Sequence, residues 1–122
     1  MTVDPAAIVT RYLDTVATGT AADVAALYAD DATLEDPVGG GEVHIGRQAI
    51  AGFYKSLEAG DISTELLQIR VGGHEAAFIF AITVTAGETK MRIEPIETMV
   101  FNSEGKIASM KAYWSPTDVK ML

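Results

Sequence analysis

Apolar positions in the first half of the chain recur every three to four residues, and after Gly60 they alternate. Ile8, Val9, Tyr12, Leu13 and Val16 form one helical stripe. Asp4 can cap that helix, Pro5 suits its first position, and Gly19 can end it. A shorter helix is predicted after Thr20, which forms a cap with Asp23, and its Val24, Leu27 and Tyr28 turn inward. Ala32 to Asp36 reads as a short strand stopped by Pro37. Asp36 is held extended there because it precedes proline. A Gly39-Gly40-Gly41 loop follows. The third helix runs from about Arg47 to Glu58, with Ile50, Phe53, Tyr54 and Leu57 on one side.

Four strands are predicted beyond it, near Thr64 to Val71, Ala76 to Thr85, Lys90 to Phe101 and Lys106 to Trp114. Gly72-Gly73, Gly87 and Asn102 to Gly105 supply the turns. The order α-α-β-α-β-β-β-β predicts an α+β fold, with three N-terminal helices on one face of a mostly antiparallel sheet. No repeat or linker divides the chain, so one domain over residues 1–122 is expected.

Composition narrows the possibilities by exclusion. Apolar residues make up 48% of the 122 and charged residues 21%, which fits a globular core and not a disordered chain. Nine Lys and Arg face 17 Asp and Glu, for a net charge of -8. The cations are scattered, which argues against a nucleic-acid partner or an anionic membrane surface. With no cysteine, disulfide, thiolate and Cys-zinc chemistry are out. No apolar run approaches the ~20 residues of a membrane span. Met1 to Pro5 lacks the basic start and apolar stretch of a signal peptide, so a cytoplasmic location is expected.

Two carboxyls fall on the wrong side of the pattern. Glu97 is in phase with Ile93, Met99 and Phe101, and Asp36 with Ala32 and Leu34. An unpaired carboxylate on a buried face is costly, so such a group protonates, lines a cavity or sits at a strand end in solvent. Two of them beside an inward Tyr12 point to a shared apolar pocket with acid-base chemistry. Phe78, Phe80, Ile82 and Val84 share one face of their strand, and Ala108, Met110, Ala112 and Trp114 do so on the last; most of these read as core. The indole of Trp114 wants a hydrogen-bond partner or an edge position. His44 and His74 are isolated in predicted loops and read as surface residues. The glycine loop lacks a phosphate-loop ending, so nucleotide binding is not expected.

These residues sit in a longer resemblance. Ile8 to Tyr12, Ala26 to Gly39 (ALYADDATLEDPVG), Ala49-Ile50, Phe53-Tyr54, Pro95-Ile96-Glu97 with Phe101, and Met110 to Ser115 (MKAYWS) are similar to the bacterial Δ5-3-ketosteroid isomerases. The match runs in order along nearly the whole chain. The resemblance implies a conical α+β fold, a curved sheet wrapped around the helices with an apolar pocket inside, and a homodimer. It puts the general base on Asp36 and the oxyanion-hole phenol on Tyr12. Tyr28 and Tyr54 fall where two supporting tyrosines stand in some members. Glu97 falls on the second oxyanion-hole position, an aspartic acid in the well-known members, so the carboxyl is kept on a side chain one methylene longer. Phe80, Met99, Met110 and Trp114 fall on steroid-contacting positions.

The chemistry implied is intramolecular proton transfer through a dienolate, from a Δ5-3-ketosteroid to its conjugated Δ4 isomer. One carboxyl works ionised and the other neutral, a division of labour that comes with the family. The expected partner is a small 3-ketosteroid, and no metal or organic cofactor is expected. Alternatives are a polyketide-cyclase-like protein, an enzyme like limonene epoxide hydrolase or scytalone dehydratase, or a non-catalytic steroid- or lipid-binding module. An epoxide hydrolase of this kind wants an arginine between its carboxyls, and Arg92 alternates to the other face. A dehydratase wants a pocket histidine, and neither histidine reads as inward.

Overall fold

A computed structural model describes residues 3–40, 42–58 and 60–122. Gly41 of the predicted glycine loop and Met1-Thr2 at the chain start lie outside those residues. Helix α1 spans Pro5–Thr18, α2 Ala21–Ala25 and α3 Arg47–Lys55. The strands are β1 (Tyr28–Glu35), β2 (His44–Ile45), β3 (Asp61–Gly72), β4 (Glu75–Ala86), β5 (Thr89–Ile93), β6 (Ile96–Phe101), β7 (Ile107–Tyr113) and β8 (Lys120–Met121). A 3-10 turn at Pro116–Asp118 precedes β8.

The caps are those the sequence predicts. Asp4 accepts from the Ala7 N–H at 3.3 Å, Pro5 opens α1, and the Gly19 N–H closes it on the Thr15 carbonyl. Thr20 and Asp23 cap each other's backbone N–H at 3.1 and 3.0 Å. The bonds at Asp4, Thr20 and Asp23 satisfy donors that a helix start leaves without a partner.

The strands form one sheet in the order β2-β1-β7-β6-β4-β5-β8, with β3 also on β4. Among the described residues only β1 and β7 run parallel. The sheet is large, open and curved; α1 and α3 lie against it, and α2 packs on those two helices. Helix α1 meets β3 and β4, and α3 meets β1. Val9, Tyr12 and Leu13 of α1, Val24 of α2 and Ile50 and Tyr54 of α3 join Leu34, Phe78, Phe80, Met99 and Met110 in one buried cluster.

Four features depart from the sequence expectation. Tyr28 opens β1 instead of lying in the second helix, because α2 stops at Ala25 with the Leu27 N–H turned onto the Val24 carbonyl. The single strand expected at Lys90 to Phe101 is two, broken at Glu94-Pro95. Proline cannot donate to a ladder, yet both pieces still pair with β4, and the Phe80 N–H reaches the Pro95 carbonyl. Helix α3 ends at Lys55, three residues early, and Leu57 is left exposed. The two-residue strands β2 and β8 are additional, and β2 removes His44 from the loop where it was expected.

Candidate active site

Strand register builds the site before any side chain is considered. Opposed residues of neighbouring strands share a face. Strand β6 sets Glu97 between Phe78 of β4 and Ala112 of β7, and Met99 opposite Met110. Strand β1 sets Leu34 beside Met110. The pairing runs on to Glu35 beside Lys111, and the same register carried one residue past the end of β1 sets Asp36 next to Ala112, whose carbonyl accepts from the Val38 N–H at 2.8 Å. The methyl of Ala112 thus forms a low floor between two carboxyls. Their backbones lie two strand spacings apart, roughly 10 Å.

Glu97 is 2% exposed and, among the described residues, is the charged one inside the core. Its Oε1 has no hydrogen-bond partner. Burial pushes its carboxyl well above the ordinary 4.5. The nearby negative charge of Asp36 adds to that rise, and the Tyr12 hydroxyl opposes it. A neutral carboxylic acid with a free oxygen is therefore aimed into the molecule.

Three phenols stand in a line beside it. The hydroxyls of Tyr12 and Tyr54 share a 2.8 Å hydrogen bond, and those of Tyr54 and Tyr28 one of 2.6 Å. All three rings are buried. Burial, first of all, raises each hydroxyl well above its ordinary range, so the chain stays protonated. Each phenol comes from a different element: Tyr12 from α1, Tyr28 from β1 and Tyr54 from α3. Arg47 anchors the Tyr28 end of this line. Its Nε and Nη2 both donate to the Tyr28 carbonyl, at 3.1 and 2.5 Å, and its Nη1 pairs with Asp30 at 2.8 Å. That clamp sits where the β1 ladder shifts register between Tyr28 and Thr33, and it gives the Tyr28 carbonyl two side-chain donors.

Asp36 has a different setting. It lies just past the end of β1, half-buried, and accepts a hydrogen bond from the Trp114 indole N–H at 2.7 Å. Burial raises its carboxyl above 3.8, while the Trp114 N–H and then the positive charge available on His44 pull it back. Asp36, Glu42, His44 and Phe53 line an open groove of about 540 Å³, within the size range of small-molecule sites.

All the sequence-selected residues except Trp114 and Asp36 are buried in the core, and those two stand at its edge. Phe80, Met99 and Met110 are 1–3% exposed and face the phenols from the sheet. Sequence reasoning missed His44. It is half-buried, opposite Leu34, and stacks on Phe53 with ring centroids 5.2 Å apart. Because Leu34 is fully buried, its opposite residue turns to the same inner side.

Residues 9–110 match the SnoaL-like domain family model. The chain is 50% identical over 119 residues to a steroid Delta-isomerase of Nocardioides simplex, covering 98% of this chain and 96% of that protein. It superposes with TM-score 0.88 on SalBIII, an epoxide hydrolase/cyclase-like enzyme in pyran ring formation in the polyether salinomycin, at 28% identity over 96% of this chain and 95% of that one. It superposes with TM-score 0.90 on RV0760c of Mycobacterium tuberculosis, at 23% identity over 100% and 99% of the two chains. The chain belongs to the SnoaL-like domain family, and within that family it is similar over nearly its full length to a steroid Delta-isomerase.

Proposed function

We propose that the protein is a steroid Delta-isomerase that moves the double bond of a Δ5-3-ketosteroid into conjugation, with Asp36 as base and Tyr12 and Glu97 as oxyanion donors. The observation that carries this reading is the neutral Glu97 carboxyl beside Tyr12, its Oε1 without a partner, with a second carboxyl on the far side of Ala112. The likeness to a named steroid Delta-isomerase supplies the substrate class.

The ionised Asp36 takes the proton from the carbon between the ketone and the double bond. Electrons shift to the ketone oxygen and give a dienolate. The Asp36 acid then returns the same proton two carbons further along, so no atom is gained or lost. A neutral phenol and a neutral carboxylic acid stabilise the developing oxygen charge better than water does, because they are fixed in a dry site. Tyr28 donating to Tyr54, and Tyr54 to Tyr12, leaves the Tyr12 proton free for substrate. Phe80, Met99 and Met110 provide apolar contact for the steroid, and the Trp114 N–H holds Asp36 on its edge of the floor.

Epoxide hydrolysis or cyclisation fits less well. Arg92 is engaged with Glu94 at 3.3 Å, and Arg47 with Tyr28 and Asp30; Arg11 and Arg70 are exposed. None of the four stands between Asp36 and Glu97 to orient a water.

A homodimer through the outer sheet face belongs to the same proposal. Ile79, Ile96 and Tyr113 align across β4, β6 and β7, and Ile96 and Tyr113 are each 45% exposed. Such an unpartnered apolar row suits a two-fold interface. Light scattering is expected to give twice 13.0 kDa, and a monomer at micromolar concentration would refute the dimer. The activity itself is tested with 5-androstene-3,17-dione. Ultraviolet absorbance of the conjugated ketone should rise with enzyme, and no rise above the uncatalysed rate would overturn the assignment.

A further inference from the structure

The histidine expected on the surface is the feature that the proposed chemistry has not used. His44 pairs with Leu34 across β1 and β2, and Asp36 lies two residues beyond Leu34 on the same side. Extended neighbours at that diagonal stand within reach of long side chains. Gly46 fixes the position from the other flank. Its φ of +92°, a conformation side chains disfavour, turns the chain from β2 straight into α3, and its N–H holds the Ala32 carbonyl at 2.8 Å. Phe53 of α3 then stacks on the imidazole. His44 is therefore held by a strand pair, a turn and an aromatic contact, in the groove that Asp36 lines.

We propose that His44 is a positioning residue for Asp36: its imidazolium, fixed in the groove against Phe53, keeps the base ionised as the pH falls. This rests on Asp36 being the base. An ordinary imidazole gains its charge below about pH 6.5, the side of neutrality on which a base carboxylate is lost. The charge on His44 does favour the Asp36 carboxylate, second to the Trp114 N–H. The other charged group lining the groove is Glu42, from the segment before β2, whereas α3 presents Ala49, Gly52, Phe53 and Ser56. One imidazole thus shares the groove with two carboxyls, and of these Asp36 is the one next to the Ala112 floor.

The test compares wild type with His44→Phe, which keeps the aromatic contact, and His44→Gln, which keeps polarity without charge. Profiles of kcat/KM against pH are recorded together with carbon-13 titration of the Asp36 carboxyl. In both variants the acid limb and the carboxyl titration are expected to move together to higher pH. On that limb kcat/KM should fall roughly 3- to 10-fold, as fits the loss of one opposite charge from a partly exposed pair, while KM at pH 8 changes little. In 1 M salt the difference between wild type and variant should shrink. An unmoved limb and an unmoved carboxyl titration in whichever variant folds would overturn the proposal and leave His44 as packing for Phe53. Should wild type show no isomerase activity, the carboxyl titration alone still decides whether His44 acts on Asp36, and the failure then belongs to the assigned reaction.

Discussion

The two sides of the Ala112 floor carry the same functional group in opposite surroundings. On the β6 side Glu97 is dry, has an oxygen without a partner and is held protonated chiefly by burial. On the β1 side Asp36 lies at a strand end, with an indole N–H on its oxygen and a histidine in the same groove. Burial raises both carboxyls, but Asp36 has the Trp114 N–H and His44 to favour its charge, whereas at Glu97 the Tyr12 hydroxyl works against both burial and the Asp36 charge. Asp36 ionises first, and its charge then makes ionisation of Glu97 harder still. Chain chemistry is nearly identical on the two sides, so the difference in charge state comes from burial, hydrogen-bond donors and the order of ionisation.

Removing the charged side of that contrast should have the largest effect. Asp36→Asn is expected to fold and bind steroid while kcat falls by about 10²–10⁴ or more, the usual contribution of a general base. Steady-state isomerase kinetics and equilibrium steroid binding check this, and near-full turnover would remove Asp36 from the role.

Removing the neutral side comes next. Glu97→Ala should lower kcat by up to about 10²–10³, the cost of one oxyanion donor elsewhere, with a smaller effect on steroid affinity. Glu97→Asp should retain or improve turnover, because the shorter acid restores the geometry that the resemblance implies. The same kinetic assay ranks the two variants.

A smaller effect tests what keeps Asp36 charged. Trp114→Phe deletes the N–H that favours the carboxylate, so the acid limb of kcat/KM should move to higher pH while the alkaline plateau stays within about tenfold. A pH profile reads it directly.

The smallest effect is on stability. Unfolded Glu97 releases its proton near 4.5, and folded Glu97 only well above that. The folded state therefore holds the extra proton, and stability is greatest below 4.5 and lost as pH rises toward the folded value. The slope is about 1.4 kcal/mol per pH unit for this group. Glu97→Gln carries no such loss. Its Tm relative to wild type should climb with pH by about 4 °C per kcal/mol, as read by calorimetry from pH 4 to 8.

How legible this was varied with the length of the pattern. Glu97 could be placed from sequence because the alternation through Met99 and Phe101 is long, and the break at Pro95 leaves its parity intact. The three helices were legible from their stripes and caps. Tyr28 was misplaced because no glycine or proline marks the passage from α2 to β1, and the helical period runs on through Leu27. Its inward direction was still right, since the start of a strand and the end of a helix can bury the same side chain. His44 was misjudged because a two-residue strand is too short to show alternation, and its neighbour Phe53 lies on another element. The Trp114 bond to Asp36 spans 78 residues; the sequence showed that the indole needed a partner but could not say which. Residue types and phases are local properties, whereas partners depend on how the sheet curls.

The most direct test of the divided carboxyls is isotope-edited infrared difference spectroscopy at pH 7, with Glu97→Gln and Asp36→Asn used to assign the bands. Glu97 is expected to give a protonated carboxylic-acid C=O band that shifts when a phenolate analogue of the dienolate binds. Asp36 is expected to give a carboxylate band in the free enzyme. A carboxylate band from Glu97 in both the free and the bound enzyme would contradict the neutral donor, and would leave Glu97 as a buried charge outside the chemistry.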